Sequence, residues 1–398
     1  MSQANSKSNI IKYKILYTCI ILFVYELGKG IPLYEVETLA RSIHTISAEE
    51  ILIQTISGDA YRSSVFALGI FPYMISSLLV QIAMAILNAF SKDKVSPGKL
   101  GRITALVTFV VAMLQAFSLV RGLQFRTEGV FVREVAVMEM VTGAMLIWWM
   151  SDRIGRYGIG GRMMIGLVNI VSRIGSTIIG HSVQELIVPL AISAAGMLIM
   201  MIMENAEFRI PVQRISIHNV YADKNYMAVK LNPAGVMPMM FSTVVFMLPQ
   251  LVVSLLEKLF PGQPDIIWWQ ANLSLARPLG IGVYIICMYL LTIFLAIMTV
   301  NPKDITEQFL KSGDSIVGIH AGRDTRRYLR KVIWSISIFS ATVMGGCVAV
   351  PLVLQLRGSL DSTLVMLPTT VMMLTGLWCN FIREYVSVRK YDLYHPIF

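Results

Sequence analysis

Apolar residues in this chain fall in long runs, with polar and charged residues gathered between them. A bilayer's hydrocarbon core needs about 20 consecutive apolar residues to cross as a helix. Ten runs approach or exceed that length: 14–34, 66–89, 102–122, 135–152, 160–179, 185–204, 233–256, 279–300, 332–355 and 362–382. The pattern predicts an all-α polytopic membrane protein with ten transmembrane helices. The second run contains Gly69 and Pro72, three residues apart, which weaken and bend a helix. Such a break is tolerated at membrane depth only where protein or a water-filled cavity satisfies the freed backbone groups. This helix is therefore expected to face the inside of a bundle. The seventh run is interrupted in the same manner by Pro233, Gly235, Pro238 and Pro249.

Three stretches between the runs carry patterns of their own. In Tyr34–Arg62, Ser47 stands three residues before Glu50, at capping-box spacing, and opens a short helical pattern that ends at Ile56. That segment is too short and too charged to span; it reads as a surface helix or as one that re-enters the bundle. In 204–231, two alternating segments, Phe208–Ile217 and Tyr226–Leu231, flank the polar turn Ala222–Asn225, which predicts a short β-hairpin outside the membrane. In 301–331, Pro302 ends the eighth run and Gly313, Gly318 and Gly322 punctuate a loop that finishes in Arg323, Arg326, Arg327, Arg330 and Lys331.

Composition agrees with the pattern. The chain has 398 residues, 55% of them apolar, and a mean hydropathy of +0.65. Only 15% are charged, against about 25% in a soluble domain. The polar start Met1–Ile10 and the lack of a small-residue cleavage site behind the first run predict a first helix that is retained. Twenty-four of the 34 lysines and arginines lie in the segments that are cytosolic if the N-terminus is cytosolic. Positive loops stay inside, so both termini are expected in the cytosol. The basic inner face serves topology and anionic lipid in any case, and the two long basic loops also suit a docking platform for a soluble partner. Ten spans divide into five and five near Gly180. An odd number per half inverts the second half relative to the first, giving halves at 1–180 and 181–398 with any pathway between them near the midplane.

The spans hold few groups capable of chemistry. Transporters and pumps place ionisable residues at membrane depth. Here only Glu26 with Lys29, at pairing distance on the first helix, and Arg173 are candidates. Cys19, Cys287, Cys347 and Cys379 lie far apart in apolar segments and read as small buried hydrophobes. Five histidines show no metal-ligand spacing, so no cofactor, metal or catalytic residue is expected. The central helices instead carry Met237, Met239, Met240, Met366, Met372 and Met373, soft side chains that adapt to many shapes. Broken helices without buried charge argue against ion-coupled transport and for an apolar constriction that excludes water.

Several separated stretches resemble the SecY family, the channel subunit of the protein-secretion translocon. They are Gly28-Lys-Gly-Ile-Pro32, Phe66-Ala-Leu-Gly-Ile-Phe-Pro-Tyr73, Thr142-Gly-Ala-Met145 followed by Asp152–Gly160, Arg209-Ile-Pro-Val-Gln213 followed by Leu231–Pro238, and Asn301-Pro-Lys303 followed by Gly318–Gly322. They occur in the family's order and cover nearly the whole chain. The resemblance implies two five-helix halves forming an hourglass that opens sideways between spans two and three and spans seven and eight. Carried over by position, it implies a pore ring of Ile70, Met74, Leu167, Val171, Met240 and Met366. It also implies a plug within about 46–62 that includes Ile51, Ile56 and Gly58. Small membrane subunits like SecE and SecG would lie beside the chain, lipids around it and a translocating polypeptide inside it. Motor docking would fall on Arg209, Arg214, His320, Arg323, Arg326, Arg327, Arg330 and Lys331.

Departures from the family's pattern sharpen the resemblance. Gly161-Arg162 stands where the family has an asparagine–glycine pair, His320 replaces an arginine, Ala321 a proline, and Gly58 a double glycine. The changed cytosolic loop argues against ordinary SecA and ribosome binding. In these respects the chain resembles the accessory SecY of Gram-positive bacteria, in the plasma membrane. That resemblance implies a dedicated SecA-type ATPase and a serine-rich glycosylated adhesin as passenger. The general SecY is the alternative, and a secondary transporter with inverted repeats a more distant one.

Overall fold

The computed structural model describes residues 2–36, 64–90, 97–120, 123, 125–126, 131–214, 225–260, 263–358, 360–361 and 363–393. The expected plug segment, with Ile51, Ile56 and Gly58, lies outside the described residues. So do the short helix of 46–56 and residues 222–224 of the expected turn. The helices are α1 (Ser2–Lys29), α2 (Phe71–Phe90), α3 (Pro97–Val120), α4 (Val132–Tyr157), α5 (Met164–Ile179), α6 (Val183–Asn205), α7 (Met237–Leu259), α8 (Pro264–Asn272), α9 (Pro278–Thr299), α10 (Pro302–Ser312), α11 (Arg323–Leu356) and α12 (Met366–Leu393). Three strands interrupt them: β1 (Glu207–Arg214), β2 (Tyr226–Lys230) and β3 (Asp314–Ile316). Among the described residues, Gly98–Val120, Val183–Asn205, Pro278–Ser312 and Arg323–Leu356 are long and apolar enough to cross a membrane. Phe71–Leu87, Met164–Ile179 and Met237–Phe246 are shorter apolar helices.

The chain forms two compact units, Met1–Leu186 with Leu377–Phe398, and Ile187–Gly376. In the first, α3 packs on α2 and α4, and α1 on α4 and α5. Its core gathers Leu33, Val36, Ala67, Leu68, Ala112, Ala116, Ala136, Met140 and Ala144. The alanines let helix backbones approach closely, which is how helices associate where lipid offers no hydrophobic contrast. Two glycines show how close: a Cβ on Gly143 would strike the Val65 carbonyl oxygen, and one on Gly28 the Phe66 ring. Glu26 and Lys29 pair at 2.8 Å as their spacing predicts, and the Lys29 ammonium also sits 4.8 Å from the centre of the Tyr25 ring.

In the second unit α9 packs on α7 and α11. The expected hairpin is present, with Phe208 opposite Val229 and Pro211 opposite Tyr226. It gains a third strand: β3 pairs with the other edge of β1, Val212 opposite Ile316 and Arg214 opposite Asp314. The loop expected over 301–331 is therefore structured. Asn301 caps α10 by accepting a hydrogen bond from the Lys303 amide, and Gly313 ends it at φ 71°, a left-handed cap suited to glycine. The sheet's Ile210, Val229 and Ile316 pack on Leu329, Ile333 and Ile336 of α11.

Hydroxyls inside the helices satisfy themselves. Ser76, Ser193, Thr292, Ser337 and Thr370 each donate to the carbonyl four residues earlier. Where water is absent, this local bond removes the cost of an unpaired donor. Of the four cysteines expected to be buried, Cys379 is, Cys287 and Cys347 are half-buried, and Cys19 is exposed on α1.

Gly143→Ala is expected to lower stability by ~1–3 kcal/mol, because the added methyl meets backbone that cannot rotate away. Thermal unfolding of the purified chain in detergent checks this, with Gly101→Ala, an open position, as the unchanged control.

Candidate functional site

The two interrupted runs are built alike. The second run was read as a helix broken from within, yet residues 65–70 form consecutive turns and α2 begins at Phe71. Pro72 is thus its second residue, where its missing N–H costs nothing. Gly69 precedes it at φ 54°, and its N–H donates to the Phe66 carbonyl at 2.9 Å. The seventh run likewise starts with a turn, at 233–236, and Pro238 falls in the first turn of α7. Gly235 has φ 63°, and its N–H donates to the Asn232 carbonyl at 3.3 Å. Gly69-Ile-Phe-Pro-Tyr-Met74 and Gly235-Val-Met-Pro-Met-Met240 therefore share one device, a left-handed glycine, a proline three residues on, and a methionine two beyond it. The repeated spacing was available in the sequence; its meaning as a helix start was not.

Each turn is held by a buried polar contact. In the first unit the Phe66 ring stacks on Tyr25 at 5.9 Å, and the Tyr25 hydroxyl donates to Asn169 Oδ1 at 3.0 Å. Tyr25 and Asn169 are both buried, and Asn169 lies between Leu167 and Val171 on α5. In the second unit Asn232, fully buried, donates to Glu204 Oε1 at 3.2 Å and to the Gly235 carbonyl at 3.0 Å, and accepts from Ser340 at 3.1 Å. Neither Asn169, Asn232 nor Glu204 was expected among the functional residues. A polar residue inside an apolar helix was the available signal.

Ile70 and Met74 are completely buried, Met240 and Met366 nearly so, and Leu167 is 9% exposed. Val171, one turn along α5, is 49% exposed. Ile70, Met74, Leu167 and Val171 belong to the first unit, Met240 and Met366 to the second.

The Gly158–Arg162 loop, where the sequence departs from the family's pattern, is pinned from three sides. The Ile159 amide donates to the Thr18 hydroxyl at 2.9 Å, the Gly160 amide to Glu384 Oε2 at 2.9 Å, and Ser151 to the Arg162 carbonyl at 2.6 Å. The Arg162 guanidinium lies 3.4 Å from Asp152.

The basic cluster is helical. α11 has 34 residues, about 51 Å at 1.5 Å per residue, far more than the ~30 Å a hydrocarbon core requires. Its first turns carry Arg323, Arg327, Arg330 and Lys331 on an exposed face, while Thr325 and Leu329 face the sheet core. Arg326 is half-buried, and its Nε has no hydrogen-bond partner among the described residues. Thr325 donates to the His320 carbonyl at 2.8 Å, fixing the exposed His320 beside the start of α11. Arg209 is exposed on β1 with its guanidinium 4.6 Å from the Tyr226 ring centre, and Arg214 ends the same strand. Because β1 pairs with β3, the strand carrying Arg209 and Arg214 runs beside the chain that leads to His320.

Comparison with known proteins gives one answer. The sequence model of the SecY family matches residues 64–378. An accessory Sec system protein translocase subunit SecY2 of Streptococcus agalactiae is 28% identical over 98% of this chain and 97% of its own length. The subunit of the same description from Streptococcus gordonii is 28% identical over 98% of each chain. A solved structure described as that of a protein conducting channel superposes with a TM-score of 0.70 at 16% identity, covering 96% of this chain and 93% of its own. One described as Sec61 in the canine ribosome-channel complex gives 0.63 at 15%, over the same shares. The family model's match over residues 64–378, with relatives matched over nearly the full chain and the shared fold, places the chain in the SecY family of protein-conducting channel subunits.

Proposed function

We propose that the chain is the channel subunit of an accessory translocase, exporting serine-rich glycosylated adhesins across a bacterial plasma membrane with a dedicated SecA-type ATPase. The observation that carries this reading is the full-length similarity to SecY2 subunits of accessory Sec systems. It is supported by the departures from the family's pattern at Arg162 and at His320, the latter on the loop expected to meet the motor. Both termini are taken as cytosolic, small SecE- and SecG-like subunits as neighbours, and the halves as 1–180 and 181–398, each with five spans. A plug within 46–62 would close the outer cavity.

The constriction is taken as Ile70, Met74, Leu167, Val171, Met240 and Met366. Apolar side chains seal around an extended peptide without preferring any sequence, because they offer no hydrogen bonds to match. The channel is passive in this scheme. A bound passenger favours the open state, and the motor supplies direction. Arg323, Arg327, Arg330 and Lys331, with Arg209, Arg214, Arg326 and His320, form the docking face for an acidic motor surface.

Met240→Asn and Met366→Asn each put an amide where a thioether kept water out. Ion conductance of the resting channel in planar bilayers is expected to rise about tenfold, as ~1.4 kcal/mol off the wetting barrier would give. Unchanged conductance in both variants removes these residues from the ring. Reversing Arg323, Arg327 and Arg330 to Glu is expected to weaken motor binding by roughly tenfold and to abolish its salt dependence; a binding titration at two ionic strengths reads both. The function itself is tested by deleting the gene and profiling secreted proteins. Loss of one or a few large glycosylated surface proteins from viable cells is the expected result. Lethality on depletion, with many precursors accumulating, assigns the chain to general secretion instead.

A further inference from the structure

We propose that α8 is a lipid anchor, lying in the headgroup region of the leaflet opposite the three-stranded sheet and clipping together the ends of α7 and α9. Connectivity sets its height. β2 leads into the start of α7, and α9 leads out to α10 and β3, so the segment between α7 and α9 lies at the far end of the second unit. α7 has 23 residues and α9 has 22, about 34 and 33 Å, so each just crosses a ~30 Å hydrocarbon core. A helix joining them emerges at the membrane–water boundary.

The surface of α8 suits that boundary. None of its residues is buried, and Ile267, Trp268 and Trp269 are 49%, 52% and 46% exposed. The two indoles pack edge to face at 5.4 Å. Adjacent half-exposed tryptophans are costly in water and favoured at the interface, where the ring is apolar and its N–H meets the headgroups. Val252 and Leu256 on α7, and Phe260 just after its end, are exposed as well. Asp265 and Arg277, both exposed, border the patch with charge.

The helix is also fixed in orientation. The Leu273 amide donates to the Trp269 carbonyl at 2.9 Å, and Gln250 of α7 donates to the Leu273 carbonyl at 2.9 Å. Leu273 and Leu275 are buried, and Gly280 of α9 packs against the Ser274 backbone with no room for a Cβ. The segment after α8 is thus locked to both α7 and α9, and it holds the tryptophans outward. An anchored α8 restrains the separation of α7 and α9 at this end.

Tryptophan quenching by brominated lipid tests the anchor. The full chain is reconstituted in nanodiscs of phosphatidylcholine and phosphatidylglycerol, brominated near the headgroup, near the chain end, or not at all. The chain has six tryptophans, and subtracting the emission of the Trp268→Phe, Trp269→Phe double variant isolates the pair. Phenylalanine keeps the apolar surface, and the single variant Trp269→Phe isolates the emission of Trp269 if the double variant is poorly folded. Bromine near the headgroup is expected to remove roughly half of the pair's emission, as an interfacial indole requires, and bromine near the chain end less. No loss with either lipid overturns the proposal. Quenching by aqueous iodide then shows that the patch faces water, and shielding from both quenchers shows that protein covers it.

Discussion

Every backbone N–H and C=O inside the hydrocarbon layer must find a partner within the protein. Helix interiors meet this automatically; helix starts do not, since their first four N–H groups have none. The chain needs helices that begin inside the structure, at Phe71 and Met237, and it solves the difficulty the same way twice. A left-handed glycine folds the chain so that its own N–H is used in the turn, and a proline then removes one donor from the first helical turn. The adjoining side chains, Ile70 and Met74 in one case and Met240 in the other, are thereby set at fixed heights. The buried serines and threonines obey the same constraint by bonding to carbonyls on their own helices.

Polar side chains at depth are few, and those present have positions to hold. Asn232, Glu204 and Ser340 form one network around the turn before α7; Tyr25 and Asn169 tie α1 to α5 behind the turn before α2. A single missing partner would leave an unsatisfied buried group, so these contacts specify one arrangement strongly. Among the described residues, exposed basic charge gathers at one end of the second unit, on Arg209 of β1 and on Arg323, Arg327, Arg330 and Lys331 of α11.

The basic face gains rigidity from the same economy. α11 extends well past the length that crosses a membrane, and the sheet packs on one side of the extension through Ile210, Val229, Ile316, Leu329 and Ile333. The opposite side is left to arginine and lysine. Basic residues on a helix braced by a sheet keep their spacing, whereas on a free loop they would lose entropy on binding any partner.

The sequence by itself determined the membrane class, the order of the apolar helices and the hairpin, because each follows from local composition and spacing. Glu26 and Lys29 pair as neighbours three apart on a helix must. The pairing of β3 with β1 was not legible: it joins residues a hundred positions apart, and the three-residue Asp314–Ile316 carries no strand pattern. Nor was the helical state of Arg323–Lys331, where glycines nearby signal a loop and only packing of Leu329 and Ile333 on the sheet decides otherwise. Gly69 and Pro72 read as a break within a helix, and they mark its start. The choice fell to tertiary contacts, the Phe66 ring against Tyr25 and Gly28 and the Val65 backbone against Gly143, because these hold residues 65–70 in turns that a lone helix would have absorbed.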